Sequence, residues 1–145
     1  MDAKTWLSRG IWMQQEKEQI AEMREEMFER LTNITQELSG VNVSSTKDPH
    51  KYDALIELDS KLEDKEKQID RALLEIYTVI QELEDSRFRT ILLARYVECK
   101  SWKEIQARMH YYERHVYRLH GLALQKIAPL IAKRIEKDRE EDGIE

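Results

Sequence analysis

Over residues 3–38 the apolar side chains Ile20, Met23, Met27, Leu31, Ile34 and Leu38 recur in alternating steps of three and four on a charged background. That period predicts an amphipathic helix with a narrow apolar seam. Upstream, Trp6, Leu7, Ile11, Trp12 and Met13 thicken the apolar content, so this end is expected to pack against more than one helix. Ser39-Gly40 predicts a stop, because glycine tolerates the left-handed conformation of a C-terminal cap. Val41 to Lys47 reads as a connector. Asp48-Pro49 predicts a restart, with aspartate capping free N–H groups and proline at the first helical position. Apolar residues then recur at Leu55, Leu58, Leu62, Ile69, Leu73, Ile76, Ile80 and Leu83, with a polar interruption at Lys65 and Glu66. Two seamed helices, 3–38 and 49–83, predict an antiparallel hairpin whose arms cover each other and are each about 50 Å long.

After Asp85 the pattern changes. Arg87 to Glu98 carries Phe88, Ile91, Leu92, Arg95 and Tyr96 at mixed spacing, as expected of a short helix buried on more than one side. Ser101-Trp102-Lys103-Glu104 matches a capping box, and the helix it opens offers Trp102, Ile105 and Met109 to a core. Past His110-Tyr111-Tyr112 a longer helix turns Val116, Leu119, Ala123, Leu124 and Ile127 inward. Two short-linked helices, the second long and basic, predict a helix-turn-helix over residues 86–137. Pro129 is expected to kink or break the second helix, leaving 113–128 as its reading portion and Leu130, Ile131 and Ile135 on a short segment that packs back. The acidic stretch 138–145 is expected to fray.

Composition sharpens this all-α picture. Of 145 residues 37% are charged, with only 4 glycines and 2 prolines, which favours long solvated helices over strands. The net charge of −5 opposes nucleic acid until it is divided along the chain. Residues 86–137 hold 12 Lys+Arg against 4 Asp+Glu, net +8, between acidic flanks of net −9 (1–85) and −4 (138–145). A basic block on an acidic helical scaffold is the footprint of a nucleic-acid face. On the second helix Arg114, Tyr117 and Arg118 share one outer side with Glu113 and His115 at its edges, and these five are the candidate base contacts. Lys100, Ser101, Lys103, Arg108 and Tyr112, on or beside the preceding helix, are the candidate phosphate contacts.

The strings Leu83-Glu84-Asp85-Ser86-Arg87-Phe88-Arg89-Thr90, Ser101-Trp102-Lys103-Glu104-Ile105 and Tyr117-Arg118-Leu119-His120-Gly121-Leu122-Ala123-Leu124, with Leu93 and Arg95-Tyr96 between them, carry a resemblance. Over nearly its whole length the chain resembles an uncharacterised family of small prophage proteins of Gram-positive bacteria. Its C-terminal half is similar to sigma-factor region 4 and to regulators of phage late operons. The resemblance implies transcriptional control of phage or mobile-element genes, through double-stranded DNA or through contact with RNA polymerase. Three positions depart from that pattern: Gln106 stands for a small alanine, His110 for a turn glycine and Tyr112 for a serine cap. The last two are expected to cost about 1 kcal/mol each.

Other chemistry finds little support. His110, His115 and His120 are spread around a helix and Cys99 is the one thiol, so no zinc site is expected. His120 is expected to pack inside, bonded to a backbone carbonyl. No nucleophile motif, phosphate cradle or dinucleotide fingerprint is present, which argues against an enzyme, and no cofactor is implied. The longest aliphatic run, Ile91-Leu92-Leu93-Ala94, is far too short to span a membrane. With no secretory segment and one cysteine, a cytoplasmic, soluble protein is expected. A homodimer through the hairpin is the remaining partner suggested by the apolar surplus of the first arm. The rival function is an adaptor that contacts polymerase or another regulator without touching DNA, and a third reading makes the hairpin a coiled-coil assembly element.

Overall fold

The computed structural model describes residues 1–40, 50 and 52–143, with side chains described outside 34–40. Every regular element among them is helical. Helix α1 spans Ala3–Gly40, α2 Asp53–Gln81, α3 Ser86–Leu92, α4 Trp102–Met109 and α5 Glu113–Asp142; a π-helical turn, Leu93–Val97, follows α3. The predicted connector and the start at Asp48-Pro49 lie outside the described residues, as do the side chains of Ile34 and Leu38. No helix among the described residues is long and apolar enough to cross a membrane.

The chain forms two compact units, one of 15–70 and one combining 1–14 with 71–145. This division cuts through both long helices, whereas the sequence pattern suggested a border near Asp85-Ser86. In the 15–70 unit Ile20, Met27 and Ile69 are buried. Ion pairs join α1 to α2 in opposite chain directions: Lys17 to Asp70 at 2.6 Å, Arg24 to Glu66 at 3.3 Å and Arg24 to Asp59 at 2.8 Å. Lys65 reaches Glu16 at 3.9 Å. The polar interruption at Lys65 and Glu66 is thus where α2 reaches charged partners on α1. Such exposed pairs contribute register more than energy, about 0–1 kcal/mol each.

In the other unit the first turns of α1 and the last turns of α2 share one core with the C-terminal helices. Trp6 and Leu7 from α1 and Ile76, Val79 and Ile80 from α2 are buried in one cluster with Phe88, Ile91, Leu92, Ile105, Val116, Leu119, Ile127 and Ile131. The π turn, marked by Glu98 N–H donating five residues back to Leu93 O at 2.8 Å, releases backbone carbonyls that α1 meets. Gln14 Nε2 donates to Val97 O at 3.1 Å, and the missing side chain of Gly10 admits the carbonyl of Tyr96. Both sides of the Asp85-Ser86 junction are tied. Asp85 caps α3 by accepting from Arg87 N at 2.9 Å, and Arg89 donates to the carbonyls of Leu83 and Glu84 in the link that follows α2.

Helix α5 is longer than expected. Of the kink or break expected at Pro129, the break does not occur, because the helix runs unbroken through it. Ile127 and Ile131, both buried, anchor it on each side of the proline, and that burial outweighs one lost backbone hydrogen bond. It also continues through Asp142, past the point where fraying was expected, with Arg134 Nε 3.7 Å from Asp138 and 3.5 Å from Glu75.

Candidate nucleic-acid interface

Each end of α4 has a local cause. Ser101 is its N-cap, its hydroxyl oxygen accepting from Glu104 N at 3.2 Å. At the far end His110 sits in the left-handed region (φ 58°, ψ 37°), and the next amide, Tyr111 N–H, donates to Gln106 O at 3.3 Å. This is the hydrogen-bond pattern of a glycine-type helix stop made with histidine. Helix α5 then starts from Tyr112, extended (φ −71°, ψ 155°) and without a side-chain cap bond. Gln106 is half-buried, between the inward and outward placements its size allowed.

Of the candidate base contacts, Glu113, Arg114 and Arg118 are exposed. His115 is half-buried, edge-on to the Tyr111 ring at 4.4 Å. Tyr112, Arg114, His115 and Arg118 line one open concavity of about 320 Å³. Tyr117 does not join it: its ring stands edge-on to Trp102 at 5.1 Å and remains 43% exposed. Among the described residues neither Arg114 nor Arg118 is within 4.0 Å of a carboxylate. Two guanidiniums without counter-charges, on the outer side of a helix whose inner side is buried at Val116, Leu119, Ala123 and Ile127, form a cationic surface that a polyanion could approach.

The candidate phosphate contacts divide. Lys103 is exposed and Lys100 half-buried; the Ser101 oxygen serves α4, though its proton remains available. Tyr112 is 90% exposed. Arg108 is already committed, donating to Glu98 Oε1 at 2.7 Å. The paired guanidinium holds the Glu98 carboxyl below its usual range, and the carboxylate raises Arg108 in turn.

Several residues that shape this surface escaped the sequence pattern. Arg95 donates to Lys100 O at 3.1 Å while its guanidinium lies 4.7 Å over the Trp102 ring, so one side chain fixes the loop before α4 to the helix itself. A cation among apolar positions was the available signal. His120 contacts the Tyr96 hydroxyl at 2.7 Å, correcting the expected backbone-carbonyl partner. Burial pushes the Tyr96 phenol up to about 12 and the His120 imidazole down to about 4, the latter helped by Lys4 and Arg95. The protonated phenol is therefore paired with an uncharged ring, with the direction of the shared hydrogen bond set by the imidazole tautomer. Trp102 packs edge-on against His120 at 4.8 Å, joining this buried pair to Tyr117 on the surface. Among the described residues no group of His, Cys, Asp and Glu is arranged to hold a metal ion.

Comparison with known proteins returns no family model, no curated protein and no solved structure that matches the chain.

Proposed function

We propose that this chain is a sequence-specific DNA-binding transcriptional regulator of phage or mobile-element genes, working in the cytoplasm. In this reading α4 and α5 act as a sigma region 4-like helix-turn-helix on double-stranded DNA. The long α1 and α2 form an antiparallel coiled-coil hairpin that serves dimerisation or a polymerase contact. The observation that carries it is the pair Arg114 and Arg118, uncompensated and outward on a helix whose other side is locked into the core. Arginine reads guanine edges bidentately in the major groove, and Lys103 on α4 supplies a backbone contact.

The test is a binding titration against duplex from immediately upstream of the coding sequence and against a scrambled duplex, at two salt concentrations. If Lys103 meets a phosphate and Arg114 and Arg118 neutralise up to one more each as they enter the groove, log affinity falls with log salt at a slope of about −1 to −3, or roughly 4- to 50-fold between 50 and 200 mM. Arg114→Ala/Arg118→Ala should abolish sequence preference and reduce that slope by at most about 2. Flat affinity across salt, or equal binding by the double variant, refutes the proposal.

Two observations favour the rival adaptor. Arg108 is tied to Glu98, and Tyr112, 90% exposed, offers a large apolar side chain where a small cap would sit. Co-purification of RNA polymerase with the Arg114→Ala/Arg118→Ala variant, combined with no duplex binding by the wild type, would establish the adaptor in place of the regulator.

A further inference from the structure

Away from the cationic side of α5 lies an open groove of about 340 Å³ between the α2–α3 link and the flank of α5. Its floor is apolar: Leu83 and Phe88, 6% and 8% exposed, with half-buried Leu130. One wall carries Glu82 and Glu84, both exposed. Asp85 stands on the same wall, but its carboxylate is committed to Arg87 and to the α3 N-terminus. The other wall carries exposed Lys126, two turns along α5 from Arg118. Among the described residues no ion pair joins Lys126 to Glu82 or Glu84, or neutralises any of the three. The groove is therefore an apolar trough between two free carboxylates and one free ammonium.

We infer that this groove is a docking site for a short segment of a partner protein, carrying a large apolar anchor flanked by Lys or Arg. Half-buried Leu130, with the small remaining surface of Leu83 and Phe88, supplies the apolar area that such an anchor would remove from water, and the anchor's own surface adds to it. The carboxylates of Glu82 and Glu84 choose a basic flank, and Lys126 favours an acidic or carbonyl-rich opposite flank, so the charge pattern sets the direction in which the segment lies. DNA is excluded, because the acidic wall would repel phosphates. A second copy presenting its Arg114 and Arg118 here would occlude its own cationic surface in a head-to-tail contact, which leaves the groove of the last copy empty unless it closes into a ring. A segment of another protein meets both constraints. The inference does not depend on DNA binding, since none of the groove residues lies on the proposed reading surface.

The probe is a displayed library of random peptides panned on the full chain, followed by titration of a synthetic peptide from the enriched set. The expected result is a shared motif of a Leu, Phe or Trp beside Lys or Arg. Its affinity should fall at least about tenfold in Glu82→Lys/Glu84→Lys, where two attractions become repulsions. Leu130→Asp, which charges the floor, should weaken the same peptide, with helical circular dichroism and the melting temperature of each variant showing that it folds. Duplex titration of these variants separates this inference from the proposed function, because salt-dependent DNA binding should survive them. Enrichment of no motif, or a peptide that binds the variants as well as the wild type, overturns the inference. A dimer in sedimentation that Glu82→Lys/Glu84→Lys dissolves would make the occupant a second copy and overturn it equally.

Discussion

Gly10 and Gly121 are both helical glycines, and replacing each by alanine should shift stability in opposite directions. In an open helix position the change removes backbone freedom from the unfolded chain and stabilises by about 0.5–1 kcal/mol. At Gly121 a Cβ would meet nothing within 4 Å, so Gly121→Ala should show this gain in full. At Gly10 the added Cβ would fall far inside contact distance of the Tyr96 carbonyl oxygen and 3.5 Å from Ile76 Cδ1. The obstacle is backbone, held in the π turn, and cannot swing aside. Either α1 or the turn must move, loosening fully buried Leu7 and the Gln14–Val97 hydrogen bond. Overpacking of this kind costs about 1–3 kcal/mol, which exceeds the propensity gain. The propensity gain is common to both, so the two variants should differ by the overpacking cost, about 1–3 kcal/mol, or roughly 3–10 °C in melting temperature at this chain length. Thermal melts followed by circular dichroism, with urea unfolding to check for an unchanged slope, measure it. Equal stabilisation by both alanines would refute the close approach of α1 to the π turn, and with it the account of how the ends of the long helices join the C-terminal core.

Three further outcomes follow from the same geometry. His110→Gly relieves a left-handed non-glycine at the end of α4 and should raise stability by about 1 kcal/mol in a melt; a loss would mean that the histidine side chain holds the turn. His120 is held neutral, with its imidazole near 4 against an unfolded value near 6.5, so the unfolded chain binds the extra proton and stability falls as pH drops from about 6.5 towards 4. That contribution is of the order of 2 kcal/mol once solvent screening is allowed for, and His120→Gln should flatten the profile of unfolding free energy against pH over this window. Glu98→Gln frees Arg108, so under the DNA-binding proposal it should tighten duplex binding and steepen its salt slope by about 1; an unchanged slope would keep Arg108 out of the interface.

Much of the helical layout was readable because it rests on short-range rules. The three–four seam, the Ser101 cap with Glu104 three residues on, and the buried positions Val116, Leu119, Ala123 and Ile127 each follow from helical periodicity or local hydrogen bonding. The outward side of Arg114 and Arg118 follows from the same period. What could not be read depends on residues far apart in sequence. Glu98 and Arg108 are separated by a left-handed residue at Cys99 and a new helix, so no periodic rule brings them together. The edge-on contact between Tyr117 and Trp102 is equally non-local, and it leaves the Tyr117 ring 43% exposed. Pro129 argued for a kink or break because local hydrogen bonding is lost there, and the burial of Ile127 and Ile131 on a common core keeps the helix continuous through it.

By itself, then, the order of residues determined an all-helical chain, the sides its helices bury and the basic block between acidic flanks, since these depend on the period of the helix and on counted charge. The tertiary structure alone decided that Trp6 and Leu7 belong to the C-terminal core, that Gly10 admits the carbonyl of Tyr96, and which arginines are already paired. The physical reason is that side-chain burial and ion pairing depend on distances through space, which the period of one helix does not encode.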